Sequence, residues 1–321
     1  MPAERVAVTS AAATRTGTAT GTGTAVGTEA VVYLGASQDA IGMHYDQGNG
    51  FFALWLDETL TYSCALWSEE PAVADAEPLQ TAQLRKLDLF AVQAGIGPGS
   101  AVLDVGCGWG GMLRRATTVH GAASAHGLTL AQEQAEWIGK QDWAGCSVDV
   151  VGWADFRPAT EYDALVSIGA FEHFAREGLA RPKRVAAYRD FFAWCHQALR
   201  PGGRLALQTN TKGGNVRLDR ATAAELRFIC ERMFPESELP WLSEILEASE
   251  RLFHPRLLRN DPDHYARTCA RWLANLRARR AEAVALVGAE VVEEHEHYLS
   301  ATVGHFERRH LSLARLVFDR M

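Results

Sequence analysis

A doubly wound, Rossmann-like α/β fold is the class this sequence predicts, and three observations carry the prediction. The segment Ala101-Val-Leu-Asp-Val-Gly-Cys-Gly-Trp-Gly-Gly111 runs from an apolar stretch into a glycine-rich turn. Met112 to His120 follows with apolar residues at helical spacing, so the unit reads as buried strand, tight turn and helix. Strand-like and helix-like segments then alternate as far as Asn210, the pattern of a parallel sheet covered on both faces. Finally, 321 residues with 47% hydrophobic content suffice for one large core with a substantial cap.

Residues 1–35 are rich in Thr, Gly and Ala and nearly free of large apolar groups. Such a segment cannot offset its ordering entropy, and it is expected to be a disordered leader to a domain spanning 36–321. From Gln38 to Glu70 aromatics crowd together (His44, Tyr45, Phe51, Phe52, Trp55, Tyr62, Trp67), which predicts a helical N-terminal segment packed on the core. A helix is expected over 79–93, closed by Gly95, with Gly97-Pro-Gly99 turning into the first strand. Strands are expected at 101–105, 122–128, 148–151, 163–168 and 204–210, and helices at 112–119, 130–140 and 183–198. Beyond Asn210 the alternation breaks. Residues 215–250 read as a helical cap inserted after strand five, 263–303 as a long helical region, and Leu311 to Phe318 as a closing strand.

Composition narrows the function. A net charge of −7 argues against a general nucleic-acid binder. No run of 18 apolar residues exists and no secretory h-region opens the chain. Six scattered cysteines without C-x-x-C spacing fit reduced thiols and a cytoplasmic location.

Gly106, Gly108 and Gly111 match the G-x-G-x-x-G spacing of dinucleotide sites, yet no acid stands in Gly121–Leu130, where an adenosine ribose would need one. Asp104 instead sits two residues ahead of Gly106. An anion there is unfavourable beside a pyrophosphate and favourable beside the cationic amino-acid tail of S-adenosylmethionine. The methyl donor is therefore preferred over a nicotinamide.

Several blocks together resemble the cyclopropane-fatty-acid synthases, and especially the mycolic acid cyclopropane synthases and their methyltransferase relatives. They are His44-Tyr45-Asp46, Phe51-Phe52, Thr61-Tyr-Ser-Cys-Ala65, Gln83 with Lys86, the glycine turn, Gly127-Leu-Thr-Leu130 with Gln134, Gly152-Trp153, Ser167-Ile-Gly-Ala-Phe-Glu-His173 and His264-Tyr265-Ala266. The resemblance implies a class I methyltransferase sheet. It implies donor binding by Tyr62, Ser63, Asp104, Gly106, Gly108, Gly110, Thr129, Leu130, Gln134, Gly152, Trp153 and Ile168. Thr129 and Gln134 would hold the ribose, and Trp153 would lie near the adenine. It also implies a bicarbonate held by Cys64, Glu172, residue 208 and Tyr265, with His173 adjacent. Gln208 departs from the family, which carries histidine there; an amide can neither hold positive charge nor pass on a proton.

The chemistry expected is methyl transfer to an alkene or electron-rich carbon of a hydrophobic substrate, an acyl chain or a specialised metabolite. The resulting carbocation is deprotonated by Glu172, directly or through a bound anion. With Gln208 in place of histidine, a methyl branch is expected more often than a ring. Alternatives are cyclopropane formation on unsaturated acyl lipids and N-methylation of a small molecule. Glu293-Glu-His-Glu-His297 resembles metal ligands, but its histidines diverge on a helix, which predicts a solvated charged face. Arg277, Arg279 and Arg280 are expected on an exposed helix face, the alternative being peripheral contact with lipid headgroups or with an acidic carrier protein.

Overall fold

The computed structural model of the chain describes residues 33–37, 40 and 47–321. Its sheet holds β1 (Ala101–Val105), β2 (Ser124–Thr129), β3 (Cys146–Val150), β4 (Tyr162–Ile168), β5 (Leu199–Lys212), β6 (Phe253–Asn260) and β7 (Leu311–Arg320). Their order is β3-β2-β1-β4-β5-β7-β6. The first five strands pair in parallel. β7 runs antiparallel to both β5 and β6, so β6 points the same way as the parallel set. Strand order reverses between β1 and β4, which opens a crevice at their carboxyl ends. The central strands are apolar on both faces: Val102, Leu103, Leu165, Val166, Leu205 and Leu207 are all fully buried. Each such side chain contributes roughly 1.5–3 kcal/mol by leaving water.

The helices begin with α1 (Asn49–Phe52), α2 (Pro71–Ala76) and α3 (Leu79–Ala94), the last closed by Gly95 in the left-handed region. They continue with α4 (Gly111–Thr118), α5 (Gln132–Gln141) and α6 (Arg181–Ala198), close to expectation.

Four features differ. The N-terminal aromatic segment is helical, among the described residues, only at Ala40 and α1. Its aromatics are buried, but from turns: the Asp57 carboxylate accepts from the Thr59 and Thr61 amides at 3.1 Å each, and that local pairing competes with a helix. Second, β5 starts at Leu199, because Arg200 to Gly203 bulge out of the ladder opposite Asp163 and do not end the strand. Third, β6 was not expected. It carries Pro255 and lacks alternation, which an edge strand tolerates because one row of its backbone groups stays unpaired.

Fourth, the cap is smaller than 215–250. It consists of α7 (Arg220–Phe228) and a π turn at Ile229–Met233. The next helix, α8 (Leu242–Ser249), packs on α6, with Arg184 donating to Glu244 at 2.6 Å, and belongs to the layer covering the sheet. The long helical region divides into α9 (Pro262–Ala278), α10 (Arg280–Val287) and α11 (Ala289–Glu307). These pack with Phe51, Phe52, Trp55 and Trp67 into one aromatic-rich core. Residues from Tyr33 onward form one compact unit. The expected leader lies outside the described residues except for Tyr33 to Gly35, which are anchored by the Arg176 amide on the Leu34 carbonyl at 2.8 Å.

Candidate active site

Two cavities meet at the carboxyl ends of the strands. The first is built on the β1 turn. Gly106 has φ +78°, and a Cβ there would stand 2.3 Å from that of Ala170. Gly108 has φ +54° and nothing within 4 Å of where its Cβ would be, so the backbone itself faces the cavity. Asp104, Gly106 and Gly108 line it beside Tyr62 and Ser63. Thr129, Leu130 and Gln134 enter from the end of β2, Gly152 and Trp153 after β3, and Ile168 from the end of β4. Thr129 donates to Gln134 Oε1 at 2.7 Å, which fixes the pair expected to meet the ribose. Burial pushes the Asp104 carboxyl up to about 7, and its Oδ1 has no partner among the described residues. An orphaned anion lining a cavity calls for a cationic ligand.

Gly110 is the exception. It caps α4 in the left-handed region and does not line the cavity. A Cβ there would press on Ile138 and Trp143 at 3.0 Å, so its role is packing.

The second cavity, about 890 Å³ with its mouth included, lies between the β4 and β5 ends and the helical module. Its apolar wall comes from Leu226, Ile229, Phe234, Phe306 and Leu311. Glu172, His173 and Tyr265 line it too. Tyr62, Gly169 and His173 belong to both cavities and so mark their junction.

Glu172 sits in a single 3-10 turn, Phe171–His173, after β4 and caps no helix. Its Oε1 accepts from the Asn210 amide at 2.6 Å, and its Oε2 is unpartnered among the described residues. Burial pushes the carboxyl up to about 7, which makes it a base of useful strength near neutrality. His173 contacts Ser237 Oγ at 2.7 Å, and burial lowers its imidazole to about 4, leaving it neutral. Burial also pushes the Tyr265 hydroxyl well above its usual value.

Cys64 and Gln208 line neither cavity. Both are buried around Arg315, a residue missed in the sequence, where its one signal is a charge in the middle of an apolar strand. Arg315 is Gln208's partner across the β5–β7 ladder and is fully buried. Its Nε donates to Gln208 Oε1 at 2.9 Å, and Nη2 reaches the Ala65 carbonyl at 2.9 Å and Cys64 Sγ at 3.3 Å. Nη1 pairs with Asp261, whose carboxyl is held low against its own burial by Arg259 and Arg315. Burial pushes the Cys64 thiol up to about 11, so it stays protonated. The Gln208 amide carries no charge, as expected, but a guanidinium lies beside it. Of the four residues expected around a bound anion, Glu172 and Tyr265 thus line the second cavity, whereas Cys64 and Gln208 bond to Arg315.

Other polar groups on the second cavity carried no sequence signal, Asn210 and Thr302 among them. His44, Tyr45 and Asp46 lie outside the described residues. The Glu293–His297 run is not a uniformly solvated face: His295 is buried against Phe51, while His297 meets the Phe228 ring. Among the described residues no metal-holding cluster occurs. Arg279 and Arg280 are exposed, as expected, and pair with Glu282 and Glu293. No described helix is long and apolar enough to cross a membrane.

The sequence profile described as Mycolic acid cyclopropane synthetase matches residues 35–316. The chain belongs to that family. It is 34% identical over 290 residues to the cyclopropane mycolic acid synthase MmaA2 of Mycobacterium tuberculosis, covering 85% of this chain and 95% of that one. The crystal structure of CmaA1 complexed with SAH and CTAB superposes with a TM-score of 0.80 at 31% identity, over 89% of this chain and 99% of the other. Coclaurine N-methyltransferase, at 17% identity and a TM-score of 0.72, shares the fold over 91% of this chain and 84% of its own. This synthetase-family chain is thus a methyltransferase that uses S-adenosylmethionine, as the acid-free second strand and Asp104 indicated. The first cavity, lined by the residues expected to bind that donor, is termed the donor cavity, and the second, which adjoins it, the acceptor cavity.

Proposed function

We propose that this enzyme methylates a cis double bond in a hydrophobic acyl chain and closes a cyclopropane ring, with Glu172 taking the proton. The observation that carries this is the junction of the two cavities at Tyr62, Gly169 and His173, with a buried, half-unpartnered carboxylate on the acceptor side. The donor supplies an electrophilic methyl group. The chain's own residues do the rest. The glycine turn and Ser63 orient the donor, and alignment of two reactants is worth ~7–11 kcal/mol of barrier. Phe234, Phe306 and Leu311 exclude water from the cationic stage. Aromatic faces such as Tyr265 add ~0.5–2 kcal/mol of cation stabilisation each. Glu172 then accepts the proton from the delivered methyl carbon, whose electron pair forms the third ring bond. The names of the relatives at 34% identity support ring closure.

A second reading is favoured by one observation. Gln208 and Cys64 accept from Arg315, and their own donors go to the Cys64 and Ala65 carbonyls at 3.4 and 3.2 Å, which leaves none for an anion. Without an anion relay, proton loss from a neighbouring carbon gives a methyl-branched chain. Incubation with S-adenosylmethionine and a cis-monounsaturated phospholipid or acyl thioester, followed by mass spectrometry and proton NMR, separates them. High-field ring methylene signals on a product heavier by one CH2 support the first reading. A methyl doublet with retained vinyl protons supports the second, and methylation of an amine alone would sink both.

A further inference from the structure

The mechanism above makes no use of Lys86, a buried cation beside the donor cavity. Lys86 on α3 is fully buried, and its Nζ donates to Ser63 Oγ at 2.8 Å. It lines the donor cavity with Ser63, Tyr62 and Asp104. Gln83, three residues earlier on the same helix face, donates to the Thr61 and Ser63 carbonyls at 3.1 and 2.8 Å. Together these two side chains hold the Thr61–Ser63 segment against the cavity from behind. Among the described residues the ammonium makes no ion pair. Asp57, one of the acids near it, is already occupied by the Thr59 hydroxyl and the Thr59 and Thr61 amides. Asp104, the other, keeps an unpartnered oxygen. Burial, with Arg315 adding repulsion, lowers the Lys86 ammonium to about 7, the mark of a charge that lacks its counter-ion.

One end of the donor cavity therefore presents a cation behind a hydroxyl and, separately, an anion. That pattern complements a zwitterion, an α-amino acid with carboxylate and ammonium both ionised. We propose that Lys86 is a positioning residue for the donor's α-carboxylate. Acting through the Ser63 hydroxyl it holds, it supplies the positive charge that the carboxylate needs, while Asp104 meets the α-ammonium. The inference rests on the S-adenosylmethionine reading of the cavity. Burying a carboxylate without a counter-charge is costly, and Lys86 removes that cost only for ligands that carry the group.

The test compares S-adenosylhomocysteine with S-adenosyl-3-thiopropylamine, which differs only in lacking the carboxylate. In the full-length wild-type protein, calorimetry should show preference for the carboxylate ligand on the order of 10–100-fold, the worth of one charged hydrogen bond. Lys86→Met should erase most of that preference by weakening S-adenosylhomocysteine while leaving the amine analogue within about 3-fold. Ser63→Ala, which deletes one oxygen, should shrink the same preference and serves if Lys86→Met does not fold. Equal weakening of both ligands would make Lys86 merely structural and overturn the proposal, as would an unchanged preference. Failure of the wild type to bind either ligand would instead count against the donor assignment itself.

Discussion

The donor cavity takes most of its walls from strand ends and the turns that follow them, whereas helices far apart in the chain close much of the acceptor cavity. In the first, backbone geometry does most of the shaping: Gly106 and Gly108 hold positive φ, and strand-end residues project into one crevice. Its polar groups are several and opposed in sign, Asp104 against Lys86. In the second, side-chain bulk from α7, the π turn, α9 and α11 sets the shape, and Glu172 is the group placed to change charge near neutrality. The contrast implies that donor-side changes act through backbone and charge. Acceptor-side changes should separate turnover from donor affinity.

The largest effect expected is on turnover. Glu172→Gln keeps shape but removes basicity, so kcat should fall by about 10²–10⁴-fold. Affinity for S-adenosylhomocysteine should stay unchanged, since Glu172 does not line the donor cavity. The wild-type rate should rise with pH through about 7, because the raised carboxyl must lose its proton to act and is protonated below that value. That limb should vanish in the variant. A joint loss of donor affinity would break the division between the cavities.

Next in size is Gly106→Val. A branched side chain at φ +78°, 2.3 Å from Ala170, both strains the turn and displaces the β4 loop. Donor affinity measured by calorimetry should fall by about 100-fold or more, equivalent to ~3 kcal/mol. Retained affinity would mean that the turn is not what holds the donor.

The smallest effect sharpens the comparison. Gly110→Ala should lower stability by about 1–3 kcal/mol, through positive φ and the clash with Ile138 and Trp143. Thermal melting would detect this, and S-adenosylhomocysteine affinity should stay within about 3-fold of wild type. A large affinity loss would return Gly110 to the binding set.

The glycine turn and Asp104 were legible because their reasons are local, while the other residues expected on that cavity came from the family motifs. A turn needing positive φ demands glycine, and an acid at the end of β1 must face the crevice. Every expected donor residue except Gly110 lines that cavity. Gly110 misled because spacing alone does not separate a glycine that admits a ligand from one that admits a neighbouring ring. The acceptor walls were not legible, since Phe234, Thr302 and Leu311 carry no pattern that distinguishes a cavity wall from core. β6 was missed because edge strands need only one paired side and so tolerate Pro255.

By itself, then, the sequence determined the doubly wound sheet and the glycine turn with Asp104 at the end of β1, consequences of residues close together in the chain, while the family motifs pointed to the carboxylate proposed as base. Only the tertiary structure decided what surrounds Gln208. Its partner Arg315 lies 107 residues away and reaches it through β5–β7 register, which is set by burial of both strands and not by any local motif. That pairing ties Gln208 and Cys64 to a buried guanidinium, because an internal cation must have its donors satisfied before the fold can close around it.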